Sequence, residues 1–474
     1  MSVGKRGCAW IGLVVILIFM SGCSGSNENN GSNDNPNLNN KALACTSTAD
    51  DSTQNIDGSA SFVHSNTVGE PIYHSVITRK NSLNQDVTVN YMVHEPTSTP
   101  KGIVLLIAGG ALTAKIVGTE GSVPTSSGGN FLVRSAHRFM QAGYRVITMD
   151  RPSDFSNYGN IDNANYLYDA YRTSVDHAID ITTIVNRENS EDLPVFIAGT
   201  SRGAISAVAQ NTLAMGIAIS SPVTVSGAGG APVGSDALPV DVVEVPVQVL
   251  YHQMDGCGAS VPANSADLIN QFANSGVDVK GNSLTGGFRD TVANNPCGAL
   301  DYHGFLGIEN CAVNTTTTWI DDLLASMEMQ HPGNARPVAQ SQTTAASMGI
   351  AMDITLTATD TDDTDLIFSV PYSKSSLGGT LSLNGDTAHY EAPVLNTTTT
   401  TTDTFVFTVI DSKGSRSAAV ISVNLSQPPF DHATTTAACS TCHTLPAGHI
   451  ITTHECDTCH TTSAWLPPPL VTTP

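Results

Sequence analysis

A serine framed by two glycines, Gly199-Thr200-Ser201-Arg202-Gly203, directly follows the apolar run Leu193 to Ala198 and directly precedes a helix-like run from Ala204. A GxSxG set between a strand and a helix puts its serine on a tight turn, with the hydroxyl lifted into the open and the next amide at a helix start. A serine hydroxyl is a poor nucleophile near neutral pH and needs a base, which in turn needs an orienting carboxylate. On such a turn the chain order is serine, acid, histidine. Asp255 follows the strand-like run Val245 to Tyr251, and His303 lies further on, before a helix-like run around Thr318 to Met329. The expected triad is Ser201, Asp255 and His303, and its chemistry is acyl transfer. The oxyanion of the tetrahedral intermediate needs amide donors. These are expected from Arg202 and from the Gly109-Gly110-Ala111 stretch after the strand-like run Gly102 to Ala108, where glycines let the backbone approach closely.

Other ionisable groups carry weaker claims. His252 shares the loop of Asp255 and is expected to support it. His137 and His177 fall in helical stretches and read as surface or satisfied structural groups, while Asp241 and Glu244 precede the strand at its wrong end. Arg134, Arg151 and Arg172 are cations that could meet an acidic substrate group, although structural or solvated roles suit them better.

These residues need a scaffold. Gly102 to Ala108, Tyr144 to Met149, Val195 to Ala198 and Val245 to Tyr251 are short, apolar and rich in Val and Ile. Between them Asn130 to Ala142, Tyr168 to Asn186 and Ala204 to Ala214 have helical spacing. Such alternation predicts an α/β domain over 61–331, a mostly parallel sheet with helices on both faces and the site at the carboxyl ends of its strands. After Pro332 the pattern changes to alternating β, with Ile354-Leu356-Ala358, Leu366-Phe368-Val370, Phe405-Phe407-Val409 and Ile421-Val423-Leu425. This predicts a small all-β sandwich over 335–427, most simply a spacer. Asp360 and Asp362, with Asp363 and Asp365 beside them, have spacing that suits Ca²⁺ as well as a solvated acidic loop.

The tail 428–474 carries chemistry of a second kind. Cys439-Ser-Thr-Cys442-His443 and Cys456-Asp-Thr-Cys459-His460 are two CxxCH motifs, the attachment pattern of covalent haem c. The thiols would form thioethers, and His443 and His460 would be the proximal iron ligands. Four thiolates around zinc are the rival reading. A histidine after each motif, an exported chain, and the spare His432, His449 and His454 favour two haems.

Export is read from the first residues. Lys5 and Arg6 precede an apolar run, Ala9 to Met20, too short to span a bilayer. Ser24 to Asn40 is almost all Ser, Gly, Asn, Asp and Pro, and 24–60 is read as a flexible tether. Setting aside Cys8, Cys23 and the four tail cysteines leaves Cys45, Cys257, Cys297 and Cys311, enough for two disulfides in an oxidising compartment. The net charge of −22 over 474 residues argues against a nucleic-acid partner, because phosphate binding needs a basic surface.

Four resemblances add to this reading. Met20-Ser21-Gly22-Cys23 resembles a bacterial lipobox, which implies a signal peptide over 1–23, lipid on Cys23 as membrane anchor, and, with Ser24 following, an outer-membrane lipoprotein facing the periplasm or the cell surface. The segments AGG at 108–110, GGNFLVRS at 128–135, DRPSD at 150–154, GTSRGAISA at 199–207, HQMDGC at 252–257 and PCGALDYHGFLGIE at 296–309 together resemble a subgroup of α/β-hydrolases with no settled substrate. That likeness implies the α/β-hydrolase fold, the same triad, a small-molecule ester-like substrate, and a disulfide between Cys257 and Cys297, which flank the acid and the histidine. LTATDTDD, GTLSL and DTFVFTVIDSKG resemble cadherin-like or immunoglobulin-like repeats of bacterial surface proteins. The tail is similar to a repeat of multihaem cytochromes, which implies His432 and His449 as distal iron ligands and other multihaem cytochromes as partners. The competing expectation is a cell-surface electron-transfer protein whose hydrolase-like domain is not catalytic.

Overall fold

The computed structural model describes residues 42–61, 69–126, 129–158, 167–224, 238, 240–397 and 399–428. Cys23 and the tail ligands His432, Cys439, Cys442, His443, His449, Cys456, Cys459 and His460 lie outside the described residues.

Nine strands form one sheet: β1 Leu43–Ala44, β2 Ile72–Lys80, β3 Asp86–His94, β4 Ile103–Ile107, β5 Arg145–Pro152, β6 Val195–Thr200, β7 Gly216–Ser220, β8 Val247–His252 and β9 Val279–Thr285. Their spatial order is β1-β9-β8-β7-β6-β4-β5-β3-β2. From β5 through β4, β6, β7 and β8 to β9 every pairing is parallel; β2 and β3 join antiparallel at one edge. The central strands have no exposed residue, which explains their unbroken Val and Ile runs in place of alternation. Parallel strands need crossovers, and these are the helices α1 Phe131–Gln141, α3 Val175–Glu188, α4 Gly203–Ala209 and α5 Pro262–Asn274, with α6 Glu309–Gln330 closing the domain. Phe131, Phe139, Ala312 and Ile320 of α1 and α6 cover one face; Ile179, Ile184, Ile205, Leu268 and Phe272 of α3, α4 and α5 cover the other. This is the mostly parallel sheet that the alternation predicts, in the α/β-hydrolase fold that the motif resemblance implies.

Two details differ from the expected elements. The helix expected over Tyr168 to Asn186 is broken into α2 Leu167–Arg172 and α3, because the Ser174 side chain accepts from the His177 amide and caps a new helix. The end of the expected tether is stitched to the domain. β1 pairs with β9, Cys45 is bonded to Cys311, and Ser52 donates to Glu309 Oε1 at 2.6 Å. The tether reading of 42–60 is therefore corrected: Cys45, Asp51 and Ser52 are buried against the domain, although most of the segment's other polar residues stay exposed.

The β-rich region is a two-sheet sandwich. Gln342–Ser347, Arg416–Ser426, Thr401–Ile410 and Ile367–Ser369 form one sheet, and Ala351–Thr355, Thr387–Glu391 and Thr380–Asn384 the other. Phe405, Phe407, Ile421 and Val423 meet Ile354, Leu381 and Tyr390 between them. It is not a bare spacer. Val406 belongs to the same apolar cluster as the hydrolase sheet, with Tyr372, Ala418 and Val420 packed against it. Arg336 donates to Asp192 O at 2.7 Å and also to Leu193 O and Arg416 O, and Asn186 Nδ2 donates to Ala418 O at 3.1 Å. At the expected Ca²⁺ position the carboxylates serve the turn. Asp362 pairs with Lys413 at 2.6 Å, and Asp360 Oδ1 accepts the amides of Asp362 and Asp363. No group of three His, Cys, Asp or Glu residues with metal-holding geometry occurs among the described residues.

Candidate active site

Ser201 sits between β6 and α4 with φ +54°, a left-handed backbone that a non-glycine residue adopts at a cost of about 1–3 kcal/mol. The surrounding glycines are there because nothing larger fits. A Cβ on Gly199 would lie 2.1 Å from Gly203 O, and one on Gly203 would lie 2.4 Å from Ile107 O at the end of β4. The turn is fastened by Ser201 N donating to Ser220 O at 2.9 Å and Ala204 N donating to Ser201 O at 3.1 Å.

Asp255 follows β8 by three residues and is buried. Its Oδ1 accepts the Cys257 amide at 2.8 Å, and its Oδ2 lies 2.8 Å from His303 Nδ1. The pairing with Asp255 puts the ring proton on Nδ1 and leaves Nε2 free to take one. Ser260, which sequence reasoning missed, completes a triangle: its hydroxyl donates to Asp255 Oδ2 at 2.8 Å and lies 2.8 Å from His303 Nδ1. Ser260 is buried, but a lone serine in a loop carries no sequence signal.

His303 is held on the short turn Tyr302–Gly304, which Asp301 caps by accepting the Tyr302 amide at 2.7 Å. A Cβ on Gly304 would lie 2.1 Å from Ala299 O. Arg134 grips the same turn, donating to Gly304 O and to Gly129 O at 2.6 Å while pairing with Glu309 at 3.0 Å. The Cys257–Cys297 disulfide forms, tying the loop of the acid to that of the histidine. Ser201 and His303 line one cavity of about 290 Å³, together with Gly109, Gly110, Ala111, Thr113, Asn130 and Phe131. The two side chains are not hydrogen-bonded to each other; such contacts commonly tighten only when substrate binds.

The loop after β4 carries Gly109 and Gly110, the latter at φ +53°. Asp150 of the DRPSD segment holds its far end, accepting the amides of Ala114 at 3.1 Å and Ile116 at 2.8 Å. Arg202 opens α4 and pairs with Asp169 at 2.6 Å.

The remaining candidates fall outside the cavity. His252 is buried; its Nδ1 accepts the Met254 amide at 3.0 Å, its Nε2 donates to Gly286 O at 2.9 Å, and the ring stacks on Tyr302. With both nitrogens engaged and its pKa lowered by burial, it supports the acid loop and has no nitrogen left for base catalysis. His177 is no surface group. It is fully buried against Tyr171, neither ring nitrogen has a hydrogen-bond partner among the described residues, and burial holds its pKa well below the usual range. Arg151 lies over the Phe155 ring, and Arg134 and Arg172 are buried in structural contacts, so none of the three lines the cavity.

Residues 334–424 match the family model described as a bacterial Ig domain. Of the two likenesses of the sandwich, the immunoglobulin one is thus the one a family carries. No curated protein matches the chain. Among solved structures it is similar to an α/β-hydrolase enzyme from a Medee basin deep-sea metagenome library, at 12% identity over 53% of this chain and 98% of that one, TM-score 0.34. It is also similar to a thermostable carboxyl esterase from Bacillus coagulans, at 13% identity over 53% and 99%, TM-score 0.35. A third is a carboxylesterase from Lactobacillus plantarum, at 15% identity over 55% and 97%, TM-score 0.36.

Proposed function

We propose that this chain is a serine hydrolase that cleaves an ester-like bond of a small molecule through an acyl-enzyme on Ser201. The observation that carries the reading is that a serine with a left-handed backbone and a histidine bonded to a buried aspartate line the same cavity. In the reaction His303 Nε2 takes the Ser201 proton as Oγ attacks the carbonyl carbon. The carbonyl oxygen becomes negative and is held by amides of Arg202 and the Gly109-Gly110 turn. The C–O bond to the leaving alcohol then breaks, and His303 returns the proton to that alcohol. Water, deprotonated by the same imidazole, attacks the acyl-enzyme and releases the acid. Asp255 keeps the ring oriented and stabilises its charged form.

Cys23 as lipid anchor, an outer-membrane location facing the periplasm or the cell surface, and a tail holding two covalent haems through His443, His460, His432 and His449 belong to the same proposal and rest on sequence motifs alone. Hydrolysis moves no electrons, so no step passes through the tail. A fluorophosphonate probe should label wild-type protein at Ser201 and leave Ser201→Ala unlabelled. A panel of short- and long-chain esters, lactones and amides then identifies the acyl and alcohol parts. Absence of labelling, with Ser201→Ala as active as wild type on every ester, removes the reading.

A further inference from the structure

Arg172 ends α2 and is fully buried, yet none of its bonds goes to a carboxylate. One terminal nitrogen donates to Ser206 Oγ on α4 at 2.8 Å, and the other donates to Ala108 O at 3.1 Å and to Gly110 O at 3.0 Å. Its nearest acidic neighbour, Asp169, pairs with Arg202. A buried cation bonded only to neutral oxygens, with its Nε left without a partner among the described residues, is costly to keep. Burial lowers its pKa to about 10, so it remains charged at neutral pH.

The consequence lies in the geometry of the peptide unit. No described peptide bond is cis, and in a trans unit the C=O and N–H point opposite ways. Ala108 C=O shares a unit with the Gly109 N–H, and Gly110 C=O shares one with the Ala111 N–H. Arg172 draws both carbonyls inward, on the side away from the cavity, which Gly109, Gly110 and Ala111 line and Arg172 does not. By that geometry both amides face the side of the cavity, which Ser201 also lines. Donation to each carbonyl also polarises its unit and strengthens the N–H at the other end.

We propose that Arg172 is a positioning residue of the oxyanion hole, aiming the amides of Gly109 and Ala111 at the oxygen that turns negative, with Ser206 holding the guanidinium in place. This refines the loop donors from Gly109 and Gly110 to Gly109 and Ala111. It rests on the proposed Ser201 chemistry.

The test compares Arg172→Met, Arg172→Lys and Ser206→Ala in the full chain, each corrected for the fraction of protein that forms an acyl- or phosphonyl-enzyme. Loss of one oxyanion donor in other hydrolases lowers kcat by roughly 10²–10³. Arg172→Met should therefore lose about 10² in kcat per titrated site, with KM within about threefold of wild type. Affinity for a boronic acid, which forms a tetrahedral adduct on serine, should fall in parallel. Arg172→Lys should recover part of the loss. Ser206→Ala should lose several-fold and keeps the test available if Arg172→Met does not fold. A merely structural Arg172 would lower the titrated fraction and leave kcat per site and boronate affinity unchanged, which overturns the proposal. If wild-type Ser201 takes no fluorophosphonate, the hydrolase reading itself fails; if it does and kcat per site of Arg172→Lys and Ser206→Ala stays within twofold of wild type, only the role of Arg172 fails.

Discussion

Alanine at Gly109 separates steric from conformational demands on the loop proposed to hold the oxyanion. Gly109 does not have a positive φ, so alanine there meets no backbone penalty. Its Cβ would nevertheless lie 2.9 Å from both Ser201 Cβ and Thr200 O, where ordinary contact begins at 3.4 Å. The loop or the nucleophile must therefore move by about 0.5 Å, the difference between those two distances. A misplacement of about 1 Å can cost a well-aligned reaction roughly 10² in rate. Half of that on a logarithmic scale is about tenfold, or roughly 1.4 kcal/mol of transition-state stabilisation. Gly110 is the mirror case: its Cβ would meet nothing within 4 Å, but its φ is +53°. Gly110→Ala should cost about 1 kcal/mol of stability, the usual left-handed penalty, with a smaller effect on kcat. Steady-state hydrolysis of a p-nitrophenyl ester, normalised to titrated sites, together with denaturant melts, reads both quantities. If Gly109→Ala keeps wild-type kcat while Gly110→Ala loses it, the assignment of close approach to Gly109 is wrong.

Asp255→Asn should leave the fold intact and lower kcat by roughly 10³–10⁴, because an amide cannot hold the imidazole in the Nδ1-protonated form; ester assays across pH check this, and a loss under tenfold refutes it. Burial, with the charge of His137 adding to it, pushes the His94 imidazole down to about 4. A depressed histidine binds its proton more readily unfolded, so its contribution is present above the unfolded value near 6.5 and is lost as pH falls toward 4. The ceiling is about 3 kcal/mol, with His177 adding in the same direction, and denaturant melts at pH 7 and pH 5 of wild type and His94→Gln measure it. Deleting 335–474 should destabilise the α/β domain, since it exposes the surface that Val406, Tyr372, Ala418 and Val420 cover; an unchanged Tm of the truncated protein would show that the sandwich is a spacer after all.

The parts of the site that were legible in the sequence are those whose chemistry forces a local pattern. Ser201 is framed by Gly199 and Gly203 because a Cβ at either would collide with backbone, and Asp255 and His303 follow in the order the fold imposes. Cys257 and Cys297 pair as the hydrolase likeness implied. Residues that act through distant contacts were not legible. Ser260, Asp150 and Glu309 are ordinary polar residues in sequence, and only the fold brings Ser260 to the His303–Asp255 pair, or Asp150 to the loop it holds. The strands β2 and β3 escaped for a related reason: they are half-buried, and polar residues such as His74, Thr88 and Asn90 interrupt the apolar runs that mark the central strands. The break between α2 and α3 depends on one serine choosing a cap over the helix interior, a local competition that apolar periodicity does not register.

The join between the two folded regions was the least legible of all, and it bears on the site. Alternation in Thr401–Ile410 identifies one apolar face for the sandwich core, yet that strand is buried on both sides, because Val406 points away from Phe405 and Phe407 into the hydrolase cluster. Tyr372 crosses the same boundary, donating to Gln210 Oε1 at 2.8 Å, and Gln210 Nε2 donates in turn to Arg172 O at 3.0 Å and to Ser174 O at 3.3 Å. Gln210 therefore fixes the short turn between α2 and α3, which sets where the Arg172 guanidinium reaches. A sandwich joined by a flexible linker would leave that turn to solvent. Here it supplies the hydrogen bond that satisfies Gln210 and the apolar surface around it, so the position of a buried cation behind the Gly109-Gly110 loop depends on residues that belong to another domain in sequence.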